Sequence, residues 1–189
     1  TIRHLPDSEN LKSCLDDFGK KSKNPKVVII GAGYIGLEVA ASLRKMGAEV
    51  TIIERESRVL QRVTAPILSE YFTTLHETNG VEIITSKTVA SIATKDRLQF
   101  VVCEDGTGYI ADIVIVGVGI KINQSLAVDA GLRVDEGIYV NDQCQTSDEN
   151  IYAIGDCTKH LSAIYQRTVR LESVQNAMDQ ANVVAMHLT

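Results

Sequence analysis

No stretch of this 189-residue chain is long and apolar enough to span a bilayer, and no signal peptide opens it. A cytoplasmic protein is the expectation. Positive charge is not in excess: 19 lysines and arginines face 24 acids, for a net charge of −5. That balance offers no electrostatic footprint for nucleic acid or an anionic membrane. The four cysteines, Cys14, Cys103, Cys144 and Cys157, never form C-x-x-C, so neither a thioredoxin-like dithiol nor a zinc knuckle is signalled. Each reads as a small buried hydrophobe. The four histidines, His4, His76, His160 and His187, lack metal-ligand spacing, and metal chemistry gains no support. What remains is a globular composition, 44% hydrophobic and 23% charged, long enough for one or two domains with a real core. The chain opens on Thr1, which suggests a piece of something larger.

The most informative stretch is VVIIGAGYIGLEVAASLRKMGAEVTIIE, Val27 to Glu54. A β-branched run enters a glycine turn, a helix-patterned segment follows, and a second β-branched run ends in an acid. This order makes a β–α–β unit with Gly31, Gly33 and Gly36 spaced G-x-G-x-x-G. Gly31 allows the tight turn, Gly33 lets the backbone approach a pyrophosphate, and Gly36 lets helix and strand pack closely. The phosphates would sit on the helix N-terminus, an attraction on the order of 1 kcal/mol and not selective. Glu54 supplies the selectivity, standing at the spacing expected of a carboxylate that bonds a ribose 2′-hydroxyl. A 2′-phosphate about 4 Å from that carboxylate would cost about 4 kcal/mol per unit charge at an effective dielectric near 20. NADH is therefore expected over NADPH. Arg55, Arg58 and Arg62 follow, either softening that repulsion or serving as a solvated face and pyrophosphate contacts.

Around this unit the pattern predicts an α/β, three-layer Rossmann-like domain. Residues 1–21 lead in, with a short polar helix from Asp7 to Lys21 before the basic run KKSKNPK. The nucleotide domain spans 22–119. A helix follows from Thr64 to Asn79, with Thr64 as N-cap and Pro66 in the first turn. Val81–Thr85 reads as a parallel strand, Thr88–Thr94 and Leu98–Cys103 as antiparallel strands, and Ile113–Val116 as a strand covered on both faces. Residues 120–189 are loop-rich, with short strand signals at Arg133-Val134 and Gly137–Val140. An apolar strand at Ile151–Ile154 and an amphipathic helix from Glu172 to His187 complete the pattern. This second segment is too short for an independent core and reads as one half of a discontinuous domain.

The runs IYAIGDC (Ile151–Cys157) and VRLESVQNAMDQA (Val169–Ala181), placed after GAGYIGLE, resemble the FAD-dependent NADH:ferredoxin reductases, the group of putidaredoxin, rubredoxin and rhodocoxin reductases. RVLQRVTAP (Arg58–Pro66) and DIVIVGVG (Asp112–Gly119) are similar to theirs as well, so the resemblance covers nearly the whole chain. It implies NAD contacts from Gly31, Gly33, Tyr34, Ile35, Gly36, Glu54, Arg55, Arg62, Val118 and Gly119. It implies FAD contacts from Arg3, Asp156, Glu172, Ser173 and Val174. Asp156 would accept from the ribityl hydroxyls. The helix begun by ESVQNA would face the flavin pyrimidine edge, where its dipole stabilises negative charge. Glu38 matches a glutamate near the nicotinamide; by itself it also reads as a first-turn acid favoured by the helix dipole.

Such enzymes pass hydride from NADH to FAD and single electrons onward to an iron–sulfur or rubredoxin-type acceptor protein. The resemblance also implies that residues 1–21 lead in from an FAD-binding domain and 120–189 are its second, incomplete segment, that a first FAD-binding unit precedes this chain, and that a further domain follows. On that expectation the isolated chain retains no tight FAD, has no turnover, and exposes a face prone to self-association. Ile122 stands where the family usually carries proline, and Thr168 where near relatives carry an aromatic. Two other readings stay open: a non-catalytic NAD(H)-binding sensor module, and a pyridine nucleotide-disulfide reductase.

Overall fold

The computed structural model describes residues 4–20, 24–95 and 98–189. The chain divides into two compact units, one ending at Gly119 and the other starting at Ile120. Among the described residues no helix is long and apolar enough to cross a membrane.

The first unit opens with helix α1 (Leu5–Lys20), close to the span expected; Lys21 lies outside the described residues. Then come strand β1 (Lys26–Ile30), helix α2 (Tyr34–Lys45), strand β2 (Glu49–Ile53), helix α3 (Pro66–Thr78) and strand β3 (Val81–Ile84). Strands β4 (Val89–Lys95), β5 (Leu98–Cys103), β6 (Gly108–Ala111) and β7 (Ile113–Val116) complete it. A parallel sheet runs β3-β2-β1-β7, and a separate antiparallel sheet runs β4-β5-β6.

The β-branched run of β1 explains the layering, because its alternate side chains serve two cores. Val27 and Ile29 point into a cluster with Leu15 of α1 and Leu37, Ala40 and Leu43 of α2. Val28 packs the other way, with Ile53 of β2 and with Val101, Cys103 and Ala111 of the antiparallel sheet. Helices, parallel sheet and antiparallel sheet are thus three layers, as the pattern predicted. Full burial of Ile29 and Ile52 would contribute about 1.5–3 kcal/mol each by area transfer.

One expectation for this unit needs correction, and one strand carries no signal in the sequence. The run at β7 is covered on both faces as expected, Ile113 and Ile115 packing on the cluster of α1 and α2 and Val114 on that of the antiparallel sheet, while its last residue, Val116, is exposed at the edge of the sheet. Thr64 does not cap α3. Ala65 holds the N-cap position with no side-chain bond, while the Thr64 hydroxyl donates to the Leu60 carbonyl. The strand β6 was not anticipated, its glycine and polar flanks giving no alternation to read.

The second unit contains helix α4 (Ser125–Asp129), strands β8 (Ile138–Tyr139), β9 (Thr158–Ser162) and β10 (Arg167–Val169), and helix α5 (Val174–Leu188). The strands form one sheet in the order β10-β9-β8. The signals at Arg133-Val134 and Gly137–Val140 condense to β8 and a single bridge from Val134 to Ile138. The expected strand at Ile151–Ile154 is absent; only Tyr152 pairs, in an isolated bridge to Gln145. Both isoleucines of that run are partly exposed, so the run lacks the burial its composition suggested. Helix α5 starts two residues later than expected, because Ser173 leaves the helix to cap it.

Candidate functional site

The carboxyl ends of β1, β2 and β7 bring together most of the residues that the sequence singled out. In open parallel sheets such ends are where ligands bind. The glycine loop leaves β1 with the Gly31 N–H donating to the Ile53 carbonyl at 2.8 Å. Gly31 has φ +104°, and a Cβ there would stand 2.5 Å from the Gly117 carbonyl oxygen. At Gly36 a Cβ would collide with the Gly31 carbonyl. These two glycines are therefore demanded by the packing of the loop on α2 and on the turn after β7. Gly33 is different: nothing lies within 4 Å of where its Cβ would be. It is the N-cap of α2, and no side chain caps that helix end. An uncapped helix terminus beneath an open glycine is a cradle that suits a pyrophosphate.

Glu54 follows β2 and reaches back to this loop. Its Oε2 accepts the Ala32 N–H at 2.6 Å, and its Oε1 accepts the Glu56 N–H at 2.8 Å. The carboxylate is thus fixed beside the glycine loop. Tyr34 and Ile35, in the first turn of α2, present exposed side chains. Glu38 lies in the second turn, so its alternative reading as a first-turn acid is incorrect. Its side chain is exposed and lines a groove shared with Leu11 and Lys12 of α1.

The three arginines after Glu54 separate into distinct roles. Arg55 projects outward, paired with Glu56 at 2.8 Å. That hydrogen bond and charge, with a lesser contribution from Glu54, raise the pKa of the guanidinium. Arg62 stands beside Gly119, its Nη2 3.8 Å from the position of a Cβ there. Arg58 is neither a solvated-face residue nor free for phosphate. It donates to the Thr64 and Gln61 carbonyls, both at 3.0 Å, and to Ser69 Oγ at 2.6 Å. Val118 is exposed on the turn after β7, next to Gly119.

The candidate flavin contacts lie in the second unit, except Arg3, which is outside the described residues. Asp156 occupies a single helical turn, Gly155–Cys157, with its side chain exposed. The turn is bolted to α5: the Gly155 N–H donates to Gln180 Oε1 at 2.7 Å, and a Cβ on Gly155 would touch Ala177 at 3.7 Å. Ser173 accepts the Asn176 N–H at 3.2 Å as the N-cap of α5. Glu172 is paired with Arg170 at 2.6 Å. Val174, at the first helical position, is 78% exposed. An exposed acid and an open helix start, both mounted on one helix, suit the ribityl and pyrimidine ends of a flavin.

Sequence reasoning missed Ala32, Glu56, Leu60 and Gly117 around the glycine loop, and Gln180 beneath Asp156. Gly117 had a visible signal in the run GVG. Nothing in the pattern marked Gln180, which is buried by contacts 22 to 25 residues away.

The chain is 47% identical over 187 residues to putidaredoxin reductase from Pseudomonas putida, covering 97% of this chain and 43% of that protein. It is 46% identical over 164 residues to rhodocoxin reductase from Rhodococcus erythropolis, covering 86% of this chain and 38% of that protein. The crystal structure of a ferredoxin reductase from Rhodopseudomonas palustris matches with a TM-score of 0.90 at 42% identity, over 98% of this chain and 45% of that one. The chain thus spans less than half the length of each of these relatives. The profile of the pyridine nucleotide-disulphide oxidoreductases matches residues 2–181, and with the FAD/NAD(P)-binding fold described above this chain belongs to that family.

Proposed function

We propose that this protein is an NADH-dependent, FAD-containing reductase that delivers electrons to a small iron–sulfur or rubredoxin-type carrier protein. The observation that carries the nucleotide half of this reading is the Glu54 carboxylate held 2.6 Å from the Ala32 N–H, against an open glycine cradle. The flavin and the carrier come from the kinship with putidaredoxin and rhodocoxin reductases. A cytoplasmic location follows from the same reading, since the reductant is NADH.

The roles of the chain's residues follow from their chemistry. Gly33 and the start of α2 bind the pyrophosphate through backbone N–H groups. Glu54 accepts from the adenine-side ribose and repels a 2′-phosphate. Arg62, beside Gly119, adds positive charge at the rim, while Arg55 is partly neutralised by Glu56. Tyr34, Ile35 and Val118 offer exposed surface to the nicotinamide half, and Glu38 stands one turn along α2 as its polar neighbour. In the second unit Asp156 accepts from the flavin ribityl chain, and the start of α5 with Glu172, Ser173 and Val174 faces the ring. Arg3 completes that set. When bound, the two cofactors supply hydride transfer and the onward release of electrons; the protein contributes position and electrostatics.

Calorimetric titration of the chain with NADH and then NADPH tests the reading. The expected result is binding of NADH and much weaker binding of NADPH. Absence of binding to either would remove the nucleotide role assigned to the cradle.

A further inference from the structure

We propose that Arg58 is a positioning residue for the nucleotide, acting through Leu60 on the glycine loop. The inference rests on the reading of that loop as the NADH pyrophosphate cradle.

Arg58 is half-buried, and its acceptors are two backbone carbonyls and a hydroxyl rather than a carboxylate. The hydroxyl, Ser69 Oγ, is itself buried and donates to the Val59 carbonyl at 2.6 Å. One cation and one serine therefore close the segment from Val59 to Thr64 into a ring, satisfying the carbonyls of Val59, Gln61 and Thr64. Leu60 sits inside that ring in the left-handed region, φ +54°, with its side chain buried. A branched residue adopts this backbone only when its surroundings hold it there. The Leu60 carbonyl is bonded by the N–H groups of Val63 and Thr64, both at 3.0 Å. The Leu60 N–H points out of the ring and donates to the Ala32 carbonyl at 3.0 Å.

The consequence for the cradle follows from peptide planarity. Ala32 C=O and Gly33 N–H belong to one trans peptide, so they point in opposite directions. Leu60 holds the carbonyl on the protein side and thereby aims the Gly33 N–H outward, to the open face where no Cβ stands. Glu54 fixes the preceding peptide through the Ala32 N–H. The glycine loop is thus oriented before any ligand arrives, and Arg58 maintains the strained residue that does it. Preorganisation of this kind raises affinity without adding a contact.

Three variants of the full chain, Arg58→Ala, Ser69→Ala and the core control Val101→Ala, are titrated with NADH alongside the unaltered protein. Hydrogen exchange is read at Leu60 and at Val101. For Arg58→Ala we expect affinity to fall about tenfold, as for loss of a charged hydrogen-bond set. Exchange at Leu60 should accelerate, with Val101 unchanged. Millimolar guanidinium, filling the vacated slot, should restore part of the affinity. Ser69→Ala should weaken NADH several-fold, and it decides the matter if Arg58→Ala does not fold. Val101→Ala should lose stability and keep its affinity. Wild-type affinity in a folded Arg58→Ala or Ser69→Ala protein would overturn the role of Arg58 and leave the NADH reading standing. Failure of the unaltered chain to bind NADH would overturn both.

Discussion

Glu54 Oε2 accepts the Ala32 N–H at 2.6 Å, so the acid that ends β2 is bonded to the glycine loop that leaves β1. Its other oxygen accepts from Glu56. A carboxylate has about four lone-pair positions, and two remain for ribose hydroxyls. Glu54→Ala should weaken NADH by about ten- to a hundredfold, the range for hydrogen bonds to a charged group. NADPH, freed of repulsion, should lose little or gain. The orphaned Ala32 N–H adds about 1–3 kcal/mol of destabilisation, since that group is part-buried. Parallel titrations and melts read both effects, and an unchanged NADH to NADPH ratio would remove Glu54 from the selectivity argument.

The three glycines of the loop should respond differently to alanine. Gly33→Ala adds a methyl group to open space at a helix N-cap and should fold with its melting temperature within about 2 °C. It should nevertheless bind NADH about tenfold or more weakly, because the methyl occupies the approach of the pyrophosphate. Gly31→Ala meets a backbone carbonyl 2.5 Å away at φ +104° and should lower stability sharply. Gly36→Ala meets the Gly31 carbonyl and should do the same. A Gly33→Ala protein with full affinity would show that the phosphates do not lie there.

His76 makes stability depend on pH. It is buried near the end of α3, where Arg44 and Lys45 line the same cleft, and burial lowers its pKa from the ordinary value near 6.5. A histidine kept neutral in the fold binds protons less well than the unfolded chain does. Its stabilisation is fully present above about pH 6.5 and is lost as pH falls from there toward the folded pKa. Denaturant melts from pH 7.5 to 5 should show stability falling on the acid side. In His76→Leu that acid-side loss should be shallower. Equal slopes in the two proteins would mean that other groups carry the acid sensitivity.

Legibility in the sequence followed the physics of each element. The β1–α2–β2 unit was readable because period, glycine spacing and the terminal acid all agree on one geometry. Counting along the chain was enough to place Glu54 beside the glycine loop. Arg58 could not be placed that way, because the same residue type serves rim, solvent or structure, and only the positions of Thr64, Gln61 and Ser69 decide. Leu60 carries no sign of its left-handed backbone, which is imposed by neighbours. In the second unit, Ile151–Ile154 looked like a strand from composition alone and has no partner strand. Strands β9 and β10, polar and short, had no alternation to betray them; they form because they pair with each other.

Gln180 tests whether the Asp156 turn is positioned by α5 or stands by itself. Its Oε1 accepts the buried Gly155 N–H at 2.7 Å, and its Nε2 donates to Thr158 Oγ1 at 3.0 Å. The Thr158 hydroxyl donates to the Gly155 carbonyl at 2.8 Å. One amide therefore satisfies both ends of the turn's first residue, directly and through threonine. Gln180→Met keeps the length and removes both bonds, leaving a buried N–H without a partner at a cost of about 1–3 kcal/mol. Hydrogen exchange at Gly155 should accelerate about tenfold or more, while Ile29 in the other unit keeps its rate. Gln180→Glu should not rescue the turn, because a carboxylate can take the Gly155 N–H but cannot donate to Thr158, and it places a charge at a buried position. Unchanged exchange at Gly155 in Gln180→Met would mean that the helical turn holds Asp156 by its own backbone geometry, with α5 acting only as packing.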